Sequence, residues 1–212
     1  MAAMDCENDY GYGAYDYNTC VCGPLGSGSP IAVDVLGDNY NLTNLVGGVA
    51  FDLDGDGVKE QISWTAAASD DAWLALDRSG NNLIDDGTEL FGNFTEQPAP
   101  KQKGKNGFLA LAEFDKPASG GNGDGAIDSQ DSVFSNLRLW QDTNHNGISE
   151  ASELKTLGEL GLRKIELDYK ESKRTDEHGN RFKYRAKVWD AKGEQMNRWA
   201  WDVYLIVQNG KQ

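Results

Sequence analysis

Four short segments of this chain place Asp, Asn and Gly at alternating positions, and this spacing restricts what the chain can fold into. A calcium loop of EF-hand type needs side-chain oxygens at positions 1, 3 and 5, Gly at position 6 and a carbonyl at position 7. Position 9 often acts through water, and position 12 supplies a bidentate carboxylate. The segment that begins at Asp142 meets all of these requirements. Its predicted ligands are Asp142, Asn144, Asn146, the carbonyl of Ile148, Glu150 and Glu153.

The segment that begins at Asp52 follows the same spacing through position 9 but has Ser63 at position 12. Its final ligand is therefore absent or comes from another part of the chain. The crowded carboxylates of this segment repel one another unless a cation lies between them. The predicted ligands are Asp52, Asp54, Asp56, the carbonyl of Val58 and Glu60.

The segment that begins at Asp77 has Asn82 where Gly is expected at position 6. Asn tolerates the left-handed backbone conformation, so the turn is preserved. Glu89 lies one place beyond the usual position 12 and is predicted to close the site. The predicted ligands are Asp77, Ser79, Asn81, the carbonyl of Leu83, Asp85 and Glu89.

The fourth segment lacks a side chain at position 1, where Gly120 stands. Asp115 is expected to fold back through the insertion at 117–121 and supply the missing oxygen. A fifth segment begins at Asp34 but has Leu36 where an oxygen is needed, so it is interpreted as degenerate. The predicted ligands of the fourth loop are Asp115, Asn122, Asp124, the carbonyl of Ala126, Asp128 and Asp131.

The negative charge of the chain is concentrated where these loops lie. The formal net charge is −14, and residues 1–160 carry 8 basic and 26 acidic side chains, whereas residues 161–212 carry 12 basic and 8 acidic. A single Asp-Gly turn needs no metal. Four segments that share the EF-hand spacing of oxygen-bearing residues favour about three to four bound calcium ions. An acidic chain also argues against nucleic acid as a partner, because phosphates are bound by Lys and Arg.

Short apolar runs between the loops predict an α+β fold, in which short strands and helices surround EF-hand-type calcium loops. Helices are expected at 108–114 and 153–162. Alternating residues near the end predict a C-terminal antiparallel meander with strands at 164–169, 182–189 and 199–205.

The composition divides the chain into three regions. A Tyr-, Gly- and Cys-containing arm covers 1–29, a calcium-loop region covers 30–160, and the β meander covers 161–212 and packs on it as one domain. The arm holds Cys6, Cys20 and Cys22, so a bridge from Cys6 to either partner leaves one thiol over, and the pairing is left open. No stretch of about 18 apolar residues occurs, so no membrane span is expected.

Six tryptophans are expected to pack the core. Trp199 and Trp201 share one face of a predicted strand, because side chains two residues apart point the same way. This pair is interpreted as core, with a binding platform as the alternative. His145 stands at position 4 of its loop and is expected to point away from the metal, and neither His145 nor His178 has a nucleophile close in sequence.

Ordered segments between 29 and 204 carry a family resemblance. They include 29–34, the loop at Asp52, 73–77, 85–92, 107–113, 137–142 and 157–161. They resemble the calcium-dependent self-processing module of RTX-type bacterial proteins and related EF-hand-like secreted calcium-binding domains. The resemblance implies an α+β fold ordered by calcium and export from the cell. It also implies self-cleavage at an Asp-Pro bond before the first proline of the module, where the Asp carboxylate attacks its own carbonyl.

Pro30 follows Ser29 in this chain, and no Asp-Pro bond occurs. The sequence therefore predicts a non-enzymatic, multi-site calcium-binding domain, stabilised by calcium, that is structural or mediates interactions at the cell surface or after secretion. A calcium-triggered self-processing module is the alternative, and a dockerin-like module with paired loops is a third. The expected partners are calcium and another extracellular protein or a cell-surface component.

Overall fold

The computed structural model describes residues 15–16, 21–22, 28–100, 104–193 and 199–208. Most of the N-terminal arm and the pairing of its cysteines lie outside these residues. The helical elements are α1 (Gly107–Ala112) and a 3-10 turn at Pro117–Ser119. The strands are β1 (Tyr15–Asp16), β2 (Val21–Cys22), β3 (Ile31–Val33), β4 (Val49–Phe51), β5 (Glu60–Ile62), β6 (Ala72–Ala75), β7 (Ala126–Ile127), β8 (Arg138–Trp140), β9 (Leu154–Thr156), β10 (Leu162–Glu166), β11 (Lys170–Thr175), β12 (Arg181–Asp190) and β13 (Trp199–Tyr204).

The main sheet is antiparallel and contains nine strands. Eight follow the order β7-β10-β12-β13-β3-β6-β8-β9, and β11 pairs with β12 beside this path. The sheet curls into a half-barrel. The hairpin of β4 and β5 forms a separate two-stranded sheet, and β1 pairs with β2. The last strand of the described residues, β13, therefore lies between β12 and the early strand β3.

The predicted α+β fold with EF-hand helices is wrong, because the chain is mostly β, with 31% strand and 5% helix. The helix expected at 108–114 is present as the short α1, whose N-cap Asn106 accepts a hydrogen bond from the Leu109 amide. The helix expected at 153–162 is absent. Leu154 instead pairs with Trp140 in the β8–β9 ladder, and Gly161 adopts a left-handed φ of 75° that ends any helical path.

The predicted C-terminal strands are present, with one addition. β10, β12 and β13 are antiparallel neighbours, as the alternation of their residues indicated. The additional strand β11 pairs with the first part of β12. Along β12 the even-numbered residues are buried and the odd-numbered ones half-buried. A register shift between Phe182 and Tyr184 places Phe182 in one hydrophobic core and Tyr184, Ala186 and Val188 in the other.

Buried side chains form a core on each side of the sheet. One core packs α1 against aliphatic residues of β3, β6 and β8, and includes Ile31, Leu74 and Phe108. The other is aromatic and packs the β4–β5 hairpin against the sheet. In it, the Trp64 ring lies 4.8 Å from Trp73 and 5.4 Å from Trp140, measured between centroids. None of the described helices is long and apolar enough to cross a membrane.

The most completely buried carboxylate among the described residues lies on β13. Asp202 on β13 is fully buried, and its Oδ2 accepts a hydrogen bond from the Gly107 amide at 2.5 Å. Burial raises the pKa of Asp202 to about 7, and the hydrogen bond from the Gly107 amide offsets part of that rise. The carboxyl is therefore protonated more readily in the folded chain than in the unfolded one.

Asp202→Asn is expected to stabilise the protein more at alkaline than at acidic pH. Between the unfolded pKa of about 3.9 and the folded value of about 7, the folded wild type binds more protons, so its free energy of unfolding falls as pH rises. Asparagine lacks this titration and keeps an acceptor for Gly107. Urea unfolding of both proteins at pH 5 and pH 8 measures the difference, and an equal difference at the two pH values would contradict the assignment.

Candidate metal centre

The first carboxylate of each loop is held by backbone amides of the same turn. Asp52 Oδ1 accepts hydrogen bonds from the amides of Gly55 and Asp56 at 2.8 and 3.2 Å, and its Oδ2 accepts one from Gly57 at 2.8 Å. These amides belong to positions 4, 5 and 6 of the loop. The same arrangement holds for Asp77 with 80–82, for Asp142 with 146–147 and for Asp115 with 123–125.

A second carboxylate closes each loop from the other side. Glu153 accepts hydrogen bonds from the amides of Thr143 and Glu150, at positions 2 and 9. Glu89 binds the amides of Arg78, Ser79 and Asp85 in the same way, at 2.8, 2.9 and 2.9 Å. Glu89 therefore closes its loop although it lies one place beyond the usual spacing. Asn82 has a left-handed φ of 68°, which is the conformation expected where Gly is missing.

Asp115 reaches the fourth loop from beyond an insertion. Its carboxylate accepts hydrogen bonds from the Gly123, Asp124 and Gly125 amides at 3.0 to 3.2 Å. The insertion forms the 3-10 turn at Pro117–Ser119 and brings Gly121 against Asp115, where a Cβ would lie 2.2 Å from the Asp115 backbone. Asp131 closes this loop by binding the amides of Asn122 and Asp128.

Three carboxylates converge in the Asp52 loop. One oxygen each from Asp52, Asp54 and Glu60 lies within 4.8 Å of the others. Glu60 also accepts from the Leu53 amide at 3.2 Å, so it takes the closing role. Ser63, at position 12, instead donates its hydroxyl to Asn180 inside the fold. Burial, followed by the neighbouring carboxylates, raises the pKa of Asp54 and of Glu60.

Sequence reasoning missed a further acidic group at the Asp34 segment. Asp34 binds the amides of 37–39 as in the other loops, and Asp70 Oδ2 accepts from the Leu36 amide at 2.6 Å. Asp34, Asp38 and Asp70 each place an oxygen within 4.8 Å of the others. The segment was interpreted as degenerate because Leu36 offers no side-chain oxygen. The compensating carboxylate comes from a distant segment, and its signal in the sequence was the adjacent pair Asp70 and Asp71.

The remaining predicted ligands make hydrogen bonds within their own loops, which we call rim contacts. Val58, Leu83 and Ile148 expose their side chains and belong to the loops through their main chain. Their amides donate to Asp56, Asn81 and Asn146, which also lie in the loops. The other rim contacts are Ser79 with Asp77, Asn81 with Asp85, Asn122 with Asp124, the Ala126 amide with Asp124, and Asn144 and Asn146 with Glu150.

The Asp142 loop is connected to the aromatic core. The Trp64 indole donates to Asp142 Oδ2 at 2.9 Å, and the Trp140 indole donates to Glu153 Oε2 at 3.3 Å. His145 points away from these carboxylates, and its two ring nitrogens lie 2.7 Å from the carbonyl oxygens of Thr65 and Gly47. The loop is therefore tied to the fold on both sides.

Comparison with known proteins places most of the chain in one family. Residues 31–205 match the sequence model of the SPM domain. The iron-regulated protein FrpA of Neisseria meningitidis serogroup C is 40% identical over 153 residues. These residues are 71% of this chain but 13% of that relative, so the chain corresponds to a small part of a much longer protein.

Asp115→Ala is expected to reduce the number of bound divalent ions by one. The substitution removes the carboxylate at the centre of the fourth loop, and the other loops do not share it. Native mass spectrometry with saturating calcium counts the ions. The control is Asp168→Ala, which removes an exposed carboxylate paired with Lys170 outside the loops. Equal ion counts for the two variants would show that Asp115 is not a ligand.

Proposed function

This chain belongs to the SPM domain family, and from that premise we propose that it is a multi-site calcium-binding domain, stabilised by calcium, of an exported bacterial protein. The observation that carries the proposal is the repeated pairing of an amide-bound first Asp with a closing carboxylate. The resemblance of the sequence to calcium-dependent self-processing modules of RTX-type proteins motivates the same proposal.

The donor set favours calcium among the common metals. The candidate ligands are carboxylate, amide, hydroxyl and carbonyl oxygens on flexible loops, which suit the six to eight oxygen ligands of calcium. Magnesium demands a small octahedral site, and zinc prefers imidazole and thiolate ligands. His145, the one histidine in these loops, is turned to backbone carbonyls. About three to four ions are proposed for the four predicted loops, and the Asp34–Asp38–Asp70 group can hold a further cation.

Calcium would act on stability by removing repulsion between carboxylates. Asp52, Asp54 and Glu60 are held together by the fold, and their repulsion opposes folding unless a cation lies between them. A site filled at 100 times its dissociation constant adds about 2.7 kcal/mol to the free energy of unfolding. Several sites together would supply a large share of the roughly 5–15 kcal/mol that is typical of a domain.

Outside the cell, the domain is proposed to be structural or to mediate interactions. The millimolar calcium that weak extracellular sites need favours secretion or display at the cell surface, and another extracellular protein or a cell-surface component is the proposed partner. No catalytic role is proposed. Ser29 precedes Pro30, so the carboxylate needed for cleavage at that bond is missing.

Chelation is expected to lower the melting temperature by well over ten degrees. The loops hold clustered carboxylates, and EDTA removes the ions that screen them. Circular dichroism melts with calcium, with EDTA, and with EDTA followed by excess calcium measure the effect. Magnesium at the same concentration is the control and is expected to restore less. A melting temperature that does not change with EDTA would rule out calcium as a folding ligand.

Calcium is also expected to leave the wild-type chain uncut. Ser29 cannot form the cyclic anhydride that breaks an Asp-Pro bond, so purified protein should keep a single mass near 23.2 kDa after hours with calcium. The informative variant is Ser29→Asp, which restores the carboxylate at the residue before Pro30. Intact-mass spectrometry follows both proteins. Cleavage of the wild type before Pro30 would overturn the non-enzymatic proposal, whatever the variant does.

A further inference from the structure

One face of the C-terminal sheet carries cations beside aromatic rings. On β12, Arg185 and Lys187 lie opposite Trp201 and Trp199 of β13. Directly paired residues of antiparallel strands share a face, so these four side chains lie together. The same face includes Lys164, which pairs with Trp189, and Arg174, which pairs with Phe182. We call Lys164, Arg174, Arg185 and Lys187 the cationic row.

The rings hold most of these cations in place. The Arg174 guanidinium lies 4.4 Å from the Phe182 ring centroid and 5.5 Å from that of Trp201. Arg185 lies 4.5 Å from Trp199 and 5.3 Å from the same Trp201 ring. The Lys164 ammonium lies 5.3 Å from Trp189. Cation–π contact restricts the side chains before any ligand arrives, which lowers the entropy lost on binding.

The row has no acidic counterpart within the described part of the chain. The ion pairs found there join Lys116 to Glu113, Lys170 to Asp168 and His178 to Glu177, and none includes a member of the row. Arg185 Nε is buried and lacks a hydrogen-bond partner. Glu166 lies nearby, and its carboxylate accepts from the Trp189 indole at 2.8 Å. Among the described residues the members of the row thus form no ion pair, although the chain has 34 acidic residues.

The shape of the row indicates the kind of anion. It runs beside β12 from Phe182 to Trp189, which is about 23 Å at the rise of a β-strand. A single phosphate or carboxylate would contact one or two of the cations, whereas a linear polymer can contact them all. The complementary ligand is therefore extended and carries repeated negative charges.

We propose that the cationic row binds an acidic polysaccharide whose sugars carry carboxylates. Carboxylates match the guanidinium edges of Arg174 and Arg185. A nucleic acid fits less well, because the rings that would stack on bases are covered by cations. The net charge of −14 also opposes the dense phosphates of nucleic acid more than the sparser charges of a polysaccharide.

The test measures binding of a short hyaluronate oligosaccharide to the full chain by isothermal calorimetry in excess calcium. Wild type is expected to bind, and to bind more weakly as salt rises, since the contacts are ionic. The double variant Arg174→Gln, Arg185→Gln is expected to bind at least about tenfold more weakly, because it loses two charged contacts. The control Lys116→Gln, Lys155→Gln lowers the net charge equally but lies outside the row, and is expected to bind as wild type does.

Any one of four results would overturn the proposal. Wild type could fail to bind hyaluronate, the row variant could bind as tightly as the control, or single-stranded DNA could bind the row more tightly than hyaluronate does. If the row variant instead abolished self-association in sedimentation, the partner would be a second copy of the chain and the polysaccharide proposal would fall. Ion counts and calcium-dependent melting of each variant separate these outcomes from a failure of the calcium proposal.

Discussion

The hydrogen bonds from buried indoles to loop carboxylates connect the aromatic core of this structure to the Asp142 loop. Trp64 and Trp140 belong to the aromatic core, yet each donates its indole N–H to a carboxylate of the Asp142 loop. A buried carboxylate is unfavourable unless hydrogen bonds or a cation compensate it. The core therefore needs the loop to satisfy its indoles, and the loop needs the core to position Asp142 and Glu153.

Much of the hydrogen-bonded geometry of the candidate loops could be predicted, because the predicted ligands are close together in sequence. The fold-back of Asp115, the left-handed Asn82 and the closing role of Glu89 all follow from the geometry of a short turn. The Asp34 group could not be predicted, because Asp70 comes from a segment more than thirty residues away. Spacing within a loop carries no information about a ligand that arrives from another loop.

The fold class was missed for a related reason. Apolar residues at 154, 157 and 160 have the spacing of a helix, but the β8 edge offers Leu154 a partner strand. Tertiary pairing overrides local periodicity in a segment this short. The strands of the C-terminal region were correctly predicted because their alternation extends over many residues, as in β12. Their neighbours in the sheet could not be inferred, since β13 pairs with β3 from the opposite end of the described chain.

The position of β13 has a consequence for how the molecule folds. The last strand of the described chain lies in the interior of the sheet, between β12 and β3. Until β13 pairs, β3 lacks one of its two neighbours, and the sheet exists as two unjoined parts. Sheets dominated by such distant pairings form slowly, because the entropy of loop closure is lost before the contacts between the strands stabilise the chain. The two parts of the sheet in the described chain are therefore joined by a single strand, and formation of the whole sheet depends on that one pairing on both sides of β13.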